Sequence, residues 1–329
     1  MNMLKQTLCL VLIILLATPA RPALAWAENG HHIIAVLAYS LLKKDEQAKV
    51  TALLANHPRF AQDFSPPMHL PNDEERTRWQ IGRAGYWPDV IRKNLTYDRP
   101  TWHYEIGPAL VMGDKARLKV SARPGVLPED ATLETAALHI SQALVLCQKT
   151  LADKSAADAD RAVAFCWIAH LVGDAHQPCH AGSLYMEDVF SEADGDRGAN
   201  RILVKQGRNM HALWDQLLGD EFSLNGSRKR IAEITGDDEL VAAGKQAVAI
   251  KEGLNPQTWL AESRALSAKN VYAPEVLESL QRVARGLVAE PEPIDLPEAY
   301  LKNAGRVAQR RAVEAAYRLA ETWRRALKK

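Results

Sequence analysis

The sequence has few cysteines, no excess of charge of either sign, and no hydrophobic run long enough to cross a membrane. Cys9 lies near the start, which leaves Cys147, Cys166 and Cys179 for the rest of the chain. Three thiols allow at most one intramolecular disulfide, and the sequence leaves the pair open. The 41 basic and 40 acidic residues nearly cancel. The protein therefore has no general attraction for polyanions, and local charges or metals would have to hold a nucleic acid.

The most hydrophobic stretch lies at the start of the chain. Lys5 is followed by an apolar run over 8–17 and by small residues that end at Ala25. This pattern is typical of a secretory signal peptide over residues 1–25, so we expect an exported protein, periplasmic or secreted, that begins at Trp26. No later stretch approaches the roughly 20 apolar residues of a membrane-spanning helix, so no membrane anchor is expected. Cleavage would change the formal net charge from +1 to −1, because it removes two basic residues and no acidic one.

Sequence repeats, β-rich blocks and interdomain linkers are also missing from residues 26–329, and helical periodicity dominates. The predicted helices span 32–44, 45–54 with Asp45 as N-cap, 129–151, 156–173 and 297–328. Residues 57–129 are rich in proline and predict loops around short helices. Residues 183–209 predict a loop with a short extended piece at 202–204. The sequence therefore predicts a single all-α domain.

Two His–Asp pairs have the spacing H-x3-D. His170 and Asp174 form the first pair, and His211 and Asp215 form the second. On a helix the two side chains lie on one face about one turn apart, and imidazole nitrogens and carboxylate oxygens are both zinc ligands. One such pair is more often a simple surface pair. Two pairs, the first of which is followed by Q-P-C and then His180, indicate a metal site.

Three further segments offer candidate ligands that carry little weight alone. Asp89 lies in a proline-containing turn, where an Asp is usually a cap or turn residue. His103 is flanked by aromatic residues and could simply be a packed core histidine. Cleavage before Trp26 would place a free α-amino group and its carbonyl close to His31. A neutral α-amine is a competent metal donor, although most chain termini are frayed.

The segments W-A-E-N-G-H, W-P-D, W-H-Y, H-L-V-G-D-A-H-Q-P-C-H, D-R-G-A-N and N-M-H-A-L-W-D occur in this order. From Trp26 to about Asp215 the chain resembles the secreted zinc nucleases of the S-one/P-one type. The resemblance implies a mostly helical domain around a cleft with three zinc ions, a fold of the phospholipase C and P-one nuclease type. It also implies hydrolysis of single-stranded DNA and RNA to 5′-nucleotides, with 3′-nucleotidase activity, by attack of a metal-activated hydroxide on phosphorus.

The resemblance assigns the predicted metal ligands to three zinc ions. It implies that the first ion is held by Asp89, His103, His170 and Asp174. It implies that the second is held by His180, His211 and Asp215. The third would be held by the amine and carbonyl of Trp26, by His31 and by Asp174. Asp174 would thus bridge two ions and take part in catalysis.

The resemblance also suggests residues that bind substrate. Arg92 is the candidate catalytic phosphate clamp, and its alternative role is an ordinary ion pair with a neighbouring acid. Tyr104 can stack on a base. Ile106 stands where the family often has an acid or amide that reads the base edge, so base preference is left open. Asn200 is expected to contact substrate, although Ala199 replaces a glycine of the family pattern.

Two other functions are compatible with much of this pattern. A zinc-dependent phospholipase C shares the metal cluster, but it typically ends its ligand set with H-x3-E and has a longer spacing between its first Trp and His. An exported zinc-binding protein without activity is the other alternative. Such a protein would be free to lose Arg92 or Asp174, and both are present. No stable protein partner is implied.

Overall fold

The computed structural model describes residues 26–113, 125–191, 193–219 and 222–328. The predicted signal peptide, residues 1–25, lies outside these ranges. Helices dominate the described residues, and two short strands form the sheet found among them, which confirms the all-α prediction. None of the described helices is long and apolar enough to cross a membrane.

The α-helices are numbered in chain order. They are α1 (Glu28–Ser40), α2 (Lys44–Leu54), α3 (Phe60–Asp63), α4 (Asp73–Val90), α5 (Ile140–Ala152), α6 (Asp158–Ala175), α7 (Pro178–Ala181), α8 (Met210–Asp215), α9 (Leu224–Thr235), α10 (Asp238–Ala249), α11 (Pro256–Leu266), α12 (Pro274–Ala284) and α13 (Glu298–Lys328). A 3-10 turn spans Pro100–His103, and a π-helical turn spans Ser267–Val271. The strands are β1 (Gly107–Met112) and β2 (Gly182–Met186).

Helix α6 lies at the centre of the protein. Fourteen consecutive residues, from Ala162 to Ala175, are buried, and α1, α4, α5 and α13 pack around them. A helix that is apolar on all sides is stable only in such a position. His170 and Asp174 are the polar exceptions on this buried stretch. Because buried polar groups need partners, the neighbouring helices must supply them.

Helices α1 and α4 approach each other very closely. A Cβ atom added to Gly85 of α4 would lie 2.9 Å from the Cβ of Ala35 and 2.9 Å from the carbonyl oxygen of His31. Glycine is therefore required at this crossing. The close approach carries His31 of α1, which begins four residues earlier than predicted, towards the end of α6.

The two strands hold two histidine-bearing segments side by side. The 3-10 turn that ends at His103 leads into β1, and α7, which contains His180, leads into β2. The strands are parallel, with Gly107 paired with Gly182. The N–H of Glu105 also donates to the carbonyl oxygen of His180 at 3.1 Å. The small sheet thus fixes the distance between His103 and His180.

The prediction of loops around short helices over 57–129 is wrong in one important place. Helix α4 has 18 residues and is capped by Asn72, whose side chain accepts a hydrogen bond from the N–H of Glu75. Pro88 lies inside its last turn and removes only one backbone donor there. Asp89 consequently lies at the end of a long helix and not in the predicted turn.

The predicted helix over 129–151 is too long, because α5 begins only at Ile140. The preceding carbonyl groups accept hydrogen bonds from side chains. Thr101 donates to the carbonyl oxygens of residues 136 and 138, Trp102 donates to that of residue 135, and Arg99 donates to that of residue 133. These long-range bonds replace the helical ones, and periodicity cannot reveal them.

Two smaller predictions also differ from the structure. Helix α2 begins one residue before Asp45, which therefore lies in the first turn. There its negative charge interacts favourably with the helix dipole. Region 183–209 was predicted as a loop with an extended piece at 202–204. It contains most of β2, and the extended piece is a single bridge between Val204 and Ile294.

The thiols of Cys147, Cys166 and Cys179 are free and buried. No disulfide therefore links the cysteines in the described part of the chain. Burial raises the pKa of all three thiols. They behave as small apolar side chains, which is usual for buried cysteine.

Two buried arginines of α13 secure the end of α6. Arg318 donates to Nε2 of His176 at 2.8 Å and to both carboxylate oxygens of Glu262 at 2.7 and 2.8 Å. Arg311 donates to the carbonyl oxygen of His176 at 3.3 Å. Burial, and then the charges of Arg311 and Arg318, hold the pKa of His176 well below its usual value. Positive charge at the carboxyl end of a helix is stabilising, so this contact holds α6 in place.

Replacing Arg318 by Met is expected to lower the free energy of unfolding by about 3 kcal/mol, since it removes the donor to Nε2 of His176 and leaves Glu262 paired with Arg311 alone. Urea unfolding of the metal-free protein measures the change. Arg325→Met is the control, because Arg325 is 65% exposed in an ion pair with Glu321 and should change stability by at most about 0.5 kcal/mol. Equal effects of the two variants would contradict the prediction.

Candidate metal centre

Eight of the predicted ligand side chains meet in the interior. They form three groups, and within each group the candidate ligand atoms lie within 4.8 Å of one another. The first group is Asp89 with His103 and His170, the second is His180 with His211 and Asp215, and the third is His31 with His170 and Asp174. Every member is buried. The structure thus brings together residues from α1, α4, α6, α7, α8 and the 3-10 turn.

The first group is centred on His103 and His170. Nε2 of His170 lies 2.8 Å from Nδ1 of His103, and Oδ2 of Asp174 lies 3.2 Å from both nitrogens. Oδ1 of Asp89 is 3.9 Å from each of them. Nδ1 of His170 donates to the carbonyl oxygen of Gly85 at 2.9 Å. A carbonyl can only accept, so the proton of His170 is on Nδ1, and Nε2 presents a lone pair to the group.

The second group shows the same arrangement. Nδ1 of His180 donates to the carbonyl oxygen of His103 at 2.5 Å, and Nδ1 of His211 donates to that of Gly198 at 2.6 Å. Their unprotonated Nε2 atoms face each other at 3.2 Å, and Nε2 of His211 is 3.6 Å from Oδ2 of Asp215. Backbone carbonyls that orient an imidazole in this way are the usual outer contacts of metal-binding histidines.

Asp174 joins the first group to His31. Its Oδ1 lies 3.3 Å from Nε2 of His31, while its Oδ2 faces His103 and His170. The imidazoles of His31 and His170 stack with centroids 4.0 Å apart. The two oxygens of one carboxylate therefore point at two separate sets of nitrogens, which is the geometry of a bridging ligand.

Trp26 lies beside this centre and is completely buried. Its indole N–H donates to the carbonyl oxygen of Gly173 at 3.0 Å, and the next residue, Ala27, donates its N–H to the carbonyl oxygen of Asp215 at 2.9 Å. The side chain of Trp26 is thus bonded to the residue before Asp174, and the main chain that follows it is bonded to the last residue of α8. These contacts do not test the amine and carbonyl of Trp26 as ligands, which stay a prediction.

The donor set fits a divalent cation. Several buried atoms of the centre make no hydrogen bond with the described residues: both ring nitrogens of His31, Oδ2 of Asp89, Nε2 of His103 and Oδ1 of Asp174. Buried polar atoms without partners are rare in proteins. Unprotonated nitrogens that face each other repel unless a positive charge lies between them. Two nitrogens on one tetrahedral zinc are about 3.3 Å apart, close to the 3.2 Å between His180 and His211.

The electrostatics of the centre also favour a cation. Burial lowers the pKa of His31, His170 and His211 to about 4 and holds those of His103 and His180 well below their usual value. Burial raises the pKa of Asp174 to about 7 and raises that of Asp215 strongly. The histidines are therefore neutral at pH 7, as metal ligands must be. A bound cation would stabilise the ionised form of these buried carboxyl groups.

The predicted substrate residues surround the centre. Nε and Nη2 of Arg92 both lie 3.0 Å from Oδ1 of Asp89, and 18% of the Arg92 side chain is exposed. The alternative ion pair of Arg92 thus exists in the structure. Tyr104 is 38% exposed beside His103. Nδ2 of Asn200 lies 3.0 Å from Nδ1 of His211, so its side chain contacts the second group. None of these contacts tests a role in substrate binding.

Sequence reasoning gave no role to Gln177, which the structure places inside the centre. Gln177 is fully buried, its Nε2 donates to Oδ1 of Asp215 at 2.6 Å, and its Oε1 accepts from the N–H of Cys179 at 2.5 Å. It thereby orients a candidate ligand and begins α7. Its position between Asp174 and His180 was the available signal, because a polar residue before Pro178 can cap the next helix.

Comparison with known proteins agrees with these contacts. The family described as S1/P1 Nuclease matches residues 26–328, nearly the whole chain. Endonuclease 3 of Arabidopsis thaliana is 24% identical over 213 residues, which are 64% of this chain. The match covers 60% of the length of that relative.

Asp174→Asn is expected to remove at least one bound Zn²⁺ per chain, because an amide nitrogen cannot take the place of the second carboxylate oxygen. The variant should unfold at nearly the same urea concentration as the original protein at pH 6 without metal, since the buried carboxyl is already largely neutral there. Metal content after dialysis measures the loss. Asp158→Asn, at the exposed start of α6, is the control. An unchanged zinc content would refute the bridging role.

The metal-free protein is expected to lose stability as the pH falls from about 6.5 to about 4. In this range unfolded histidines bind protons, whereas the eight buried ones, whose pKa values burial lowers, stay largely neutral, so the unfolded state binds more protons. Asp174, Asp196 and Asp215 act in the opposite direction, because burial raises their pKa values, but they are fewer. We expect a loss of at least about 1.4 kcal/mol per pH unit, measured by urea unfolding with a chelator present. A constant or rising stability would contradict this prediction.

Proposed function

This chain belongs to the S1/P1 nuclease family, and we propose that it is an exported zinc-dependent phosphodiesterase. Its proposed substrates are single-stranded DNA and RNA, which it cleaves to 5′-nucleotides, and the same site acts as a 3′-nucleotidase. Three Zn²⁺ ions per chain are proposed as cofactors. The nucleic acid and 3′-nucleotides are substrates, and no stable protein partner is required.

One observation carries the proposal. Asp174 directs one oxygen towards His31 and the other towards His103 and His170, while His180, His211 and Asp215 form a further group. These residues would hold two cations on either side of the Asp174 carboxylate and a third close by, and cations in such a cluster would stabilise the attacking and leaving oxygens of a phosphodiester.

Zinc in these groups would act as a Lewis acid on the phosphate and lower the pKa of a bound water. The residues of the chain supply the rest. Backbone carbonyls of Gly85, His103 and Gly198 hold three imidazoles with Nε2 unprotonated. Asp174 and Asp215 would supply negative charge from buried positions once a bound cation stabilises their ionised forms. The centre is therefore preorganised before substrate arrives, which is the main source of electrostatic stabilisation in enzymes.

Two side chains at the edge of the centre are proposed to hold the substrate. Arg92 carries a planar guanidinium, suited to phosphate oxygens, and part of its side chain is exposed beside the first group. The exposed face of Tyr104 can stack on a base of either DNA or RNA, because every base has a π-face. The net charge is close to zero, so these local contacts must provide the affinity for the polyanion.

A substrate panel with the zinc-loaded protein tests the proposal. We expect hydrolysis of single-stranded DNA, RNA and 3′-mononucleotides, loss of activity with a chelator, and recovery with Zn²⁺. Arg92→Gln should lower kcat/KM by about 100-fold if the guanidinium contacts the phosphate in the transition state. Turnover of phosphatidylcholine without turnover of nucleic acid would identify a phospholipase C instead. Zinc binding without any turnover would identify a binding protein.

A protein that keeps one extra residue before Trp26 is expected to lose one Zn²⁺ and most activity. The extra residue turns the α-amine into an amide, which is not a metal donor at neutral pH. Metal content and turnover are compared with those of a protein that begins at Trp26, and extra residues after position 329 are the matched control. Full activity with the N-terminal extension would exclude the α-amine as a ligand.

A further inference from the structure

The loop before α8 has an unusual backbone. Gly195, Arg197, Gly198 and Ala199 all have positive φ angles, of 58°, 57°, 60° and 66°. Residues other than glycine rarely adopt this left-handed conformation, which costs Arg197 and Ala199 about 1–2 kcal/mol each. A loop with such a backbone persists only if its surroundings hold it firmly.

Asp196 is the residue that holds this loop. It is fully buried, and its Oδ1 accepts three hydrogen bonds: from Oγ of Ser183 at 2.9 Å, from the N–H of Leu184 at 3.0 Å and from the hydroxyl of Tyr272 at 3.0 Å. The N–H of Asp196 donates to the carbonyl oxygen of Leu184 at 3.0 Å. The residue is thereby attached to β2 through both its backbone and its side chain.

A chain of hydrogen bonds leads from Asp196 to the second metal group. Oγ of Ser183 donates to Asp196 and accepts from the N–H of Gly198 at 2.8 Å. The carbonyl oxygen of Gly198 accepts from Nδ1 of His211 at 2.6 Å, and that of Ala199 accepts from the N–H of His211 at 3.3 Å. The position of the acceptor of His211 thus depends on Ser183, and through Ser183 on Asp196.

The burial of Asp196 has no explanation in fold stability alone. The three donors to its Oδ1 are two neutral hydroxyls and one backbone amide, so none of them balances its charge. Burial raises the pKa of Asp196 to about 6, against the hydrogen bonds that it accepts. A buried carboxylate with neutral partners is a costly way to close a loop. The exposed acid of the same loop, Asp194, pairs with Arg197 and Arg201 and makes no contact with His211 in the hydrogen bonds of the described residues.

We propose that Asp196 is a positioning residue for the metal group formed by His180, His211 and Asp215. It acts through Ser183 and Gly198, whose carbonyl oxygen keeps the proton of His211 on Nδ1 and directs Nε2 at the metal. The inference rests on the metal centre proposed above and assigns Asp196 no contact with substrate.

The consequence of losing Asp196 follows from this chain. Without the side-chain oxygen of Asp196, the hydroxyl of Ser183 keeps only the more distant carbonyl oxygen of Asp194, at 3.4 Å, as an acceptor. Gly198 is then held less firmly, so the left-handed loop can relax. His211 then lacks a fixed acceptor for Nδ1, and its ring can rotate or move its proton to Nε2. A protonated Nε2 cannot bind zinc. Loss of outer contacts of this kind typically lowers metal affinity by about 10–100-fold.

Zinc affinity, measured by competition with a chelator, tests the proposal without substrate. Asp196→Ala should weaken the binding of one Zn²⁺ by at least about 10-fold and leave the others unchanged, whereas Asp196→Asn keeps an oxygen that can accept the three hydrogen bonds and should bind zinc nearly like the original protein. Asp194→Asn is the matched control from the same loop and should bind zinc like the original protein. Long-range ¹H–¹⁵N spectra of the metal-free protein should show His211 protonated on Nδ1 in the original protein, in Asp196→Asn and in the control, and a tautomer mixture in Asp196→Ala.

Two further variants separate positioning from stability. Ser183→Ala removes the link to Gly198 but keeps Asp196, so it should also weaken one zinc site. Tyr272→Phe removes one of the donors that hold Asp196 but keeps Ser183, so it should weaken zinc binding less than Ser183→Ala does. The zinc affinities of these two variants test the proposal even if the Asp196 variants fold poorly.

The proposal is overturned if Ser183→Ala and Asp196→Ala keep the original zinc affinity and the Nδ1 tautomer of His211 while only their melting temperatures fall. It is also overturned if the original protein binds no zinc at this group. Failure of the proposed nuclease activity has a different signature, because it leaves zinc affinity intact and abolishes turnover in the original protein as well.

Discussion

The structure depends on the way in which backbone carbonyls fix buried imidazoles. His170, His180 and His211 each donate from Nδ1 to a carbonyl oxygen that lies far away in sequence. Each acceptor belongs to a different kind of backbone: a helix, a 3-10 turn and a left-handed loop. The fold therefore has to place three unrelated segments accurately before any cation can be bound. The crossing of α1 and α4, the small parallel sheet and the loop around Asp196 all serve this one requirement.

Helix α6 combines the needs of stability with those of chemistry. Its apolar residues are the centre of the core, and the same helix carries His170 and Asp174. Its carboxyl end is held by Arg311 and Arg318 and by the indole of Trp26. Polar ligands in a core normally destabilise it. Here backbone carbonyls accept hydrogen bonds from the outer nitrogens of the imidazoles, and arginines hold the end of the helix. The inner ligand atoms stay available for a cation.

The sequence predicted the parts of this centre that depend on local spacing. The pairs His170 with Asp174 and His211 with Asp215 follow from one helical turn, and the all-α class follows from periodicity. The long helix α4 was missed because prolines on either side of it, and Pro88 within it, indicated loops. The overlong helix before α5 and the acceptors of the imidazoles could not be predicted. They depend on contacts between residues 13 to 85 positions apart, which periodicity does not encode.

The three buried thiols have a consequence for how the protein can be observed. Burial makes them unreactive in the folded state, so a thiol reagent modifies them only when the core opens. Cys166 lies one turn before His170 on α6, and Cys179 precedes His180 directly. The rate of thiol labelling thus reports how often the metal-bearing segments separate from the core. The native chain contains its own probes of local opening, and none has to be introduced by mutation.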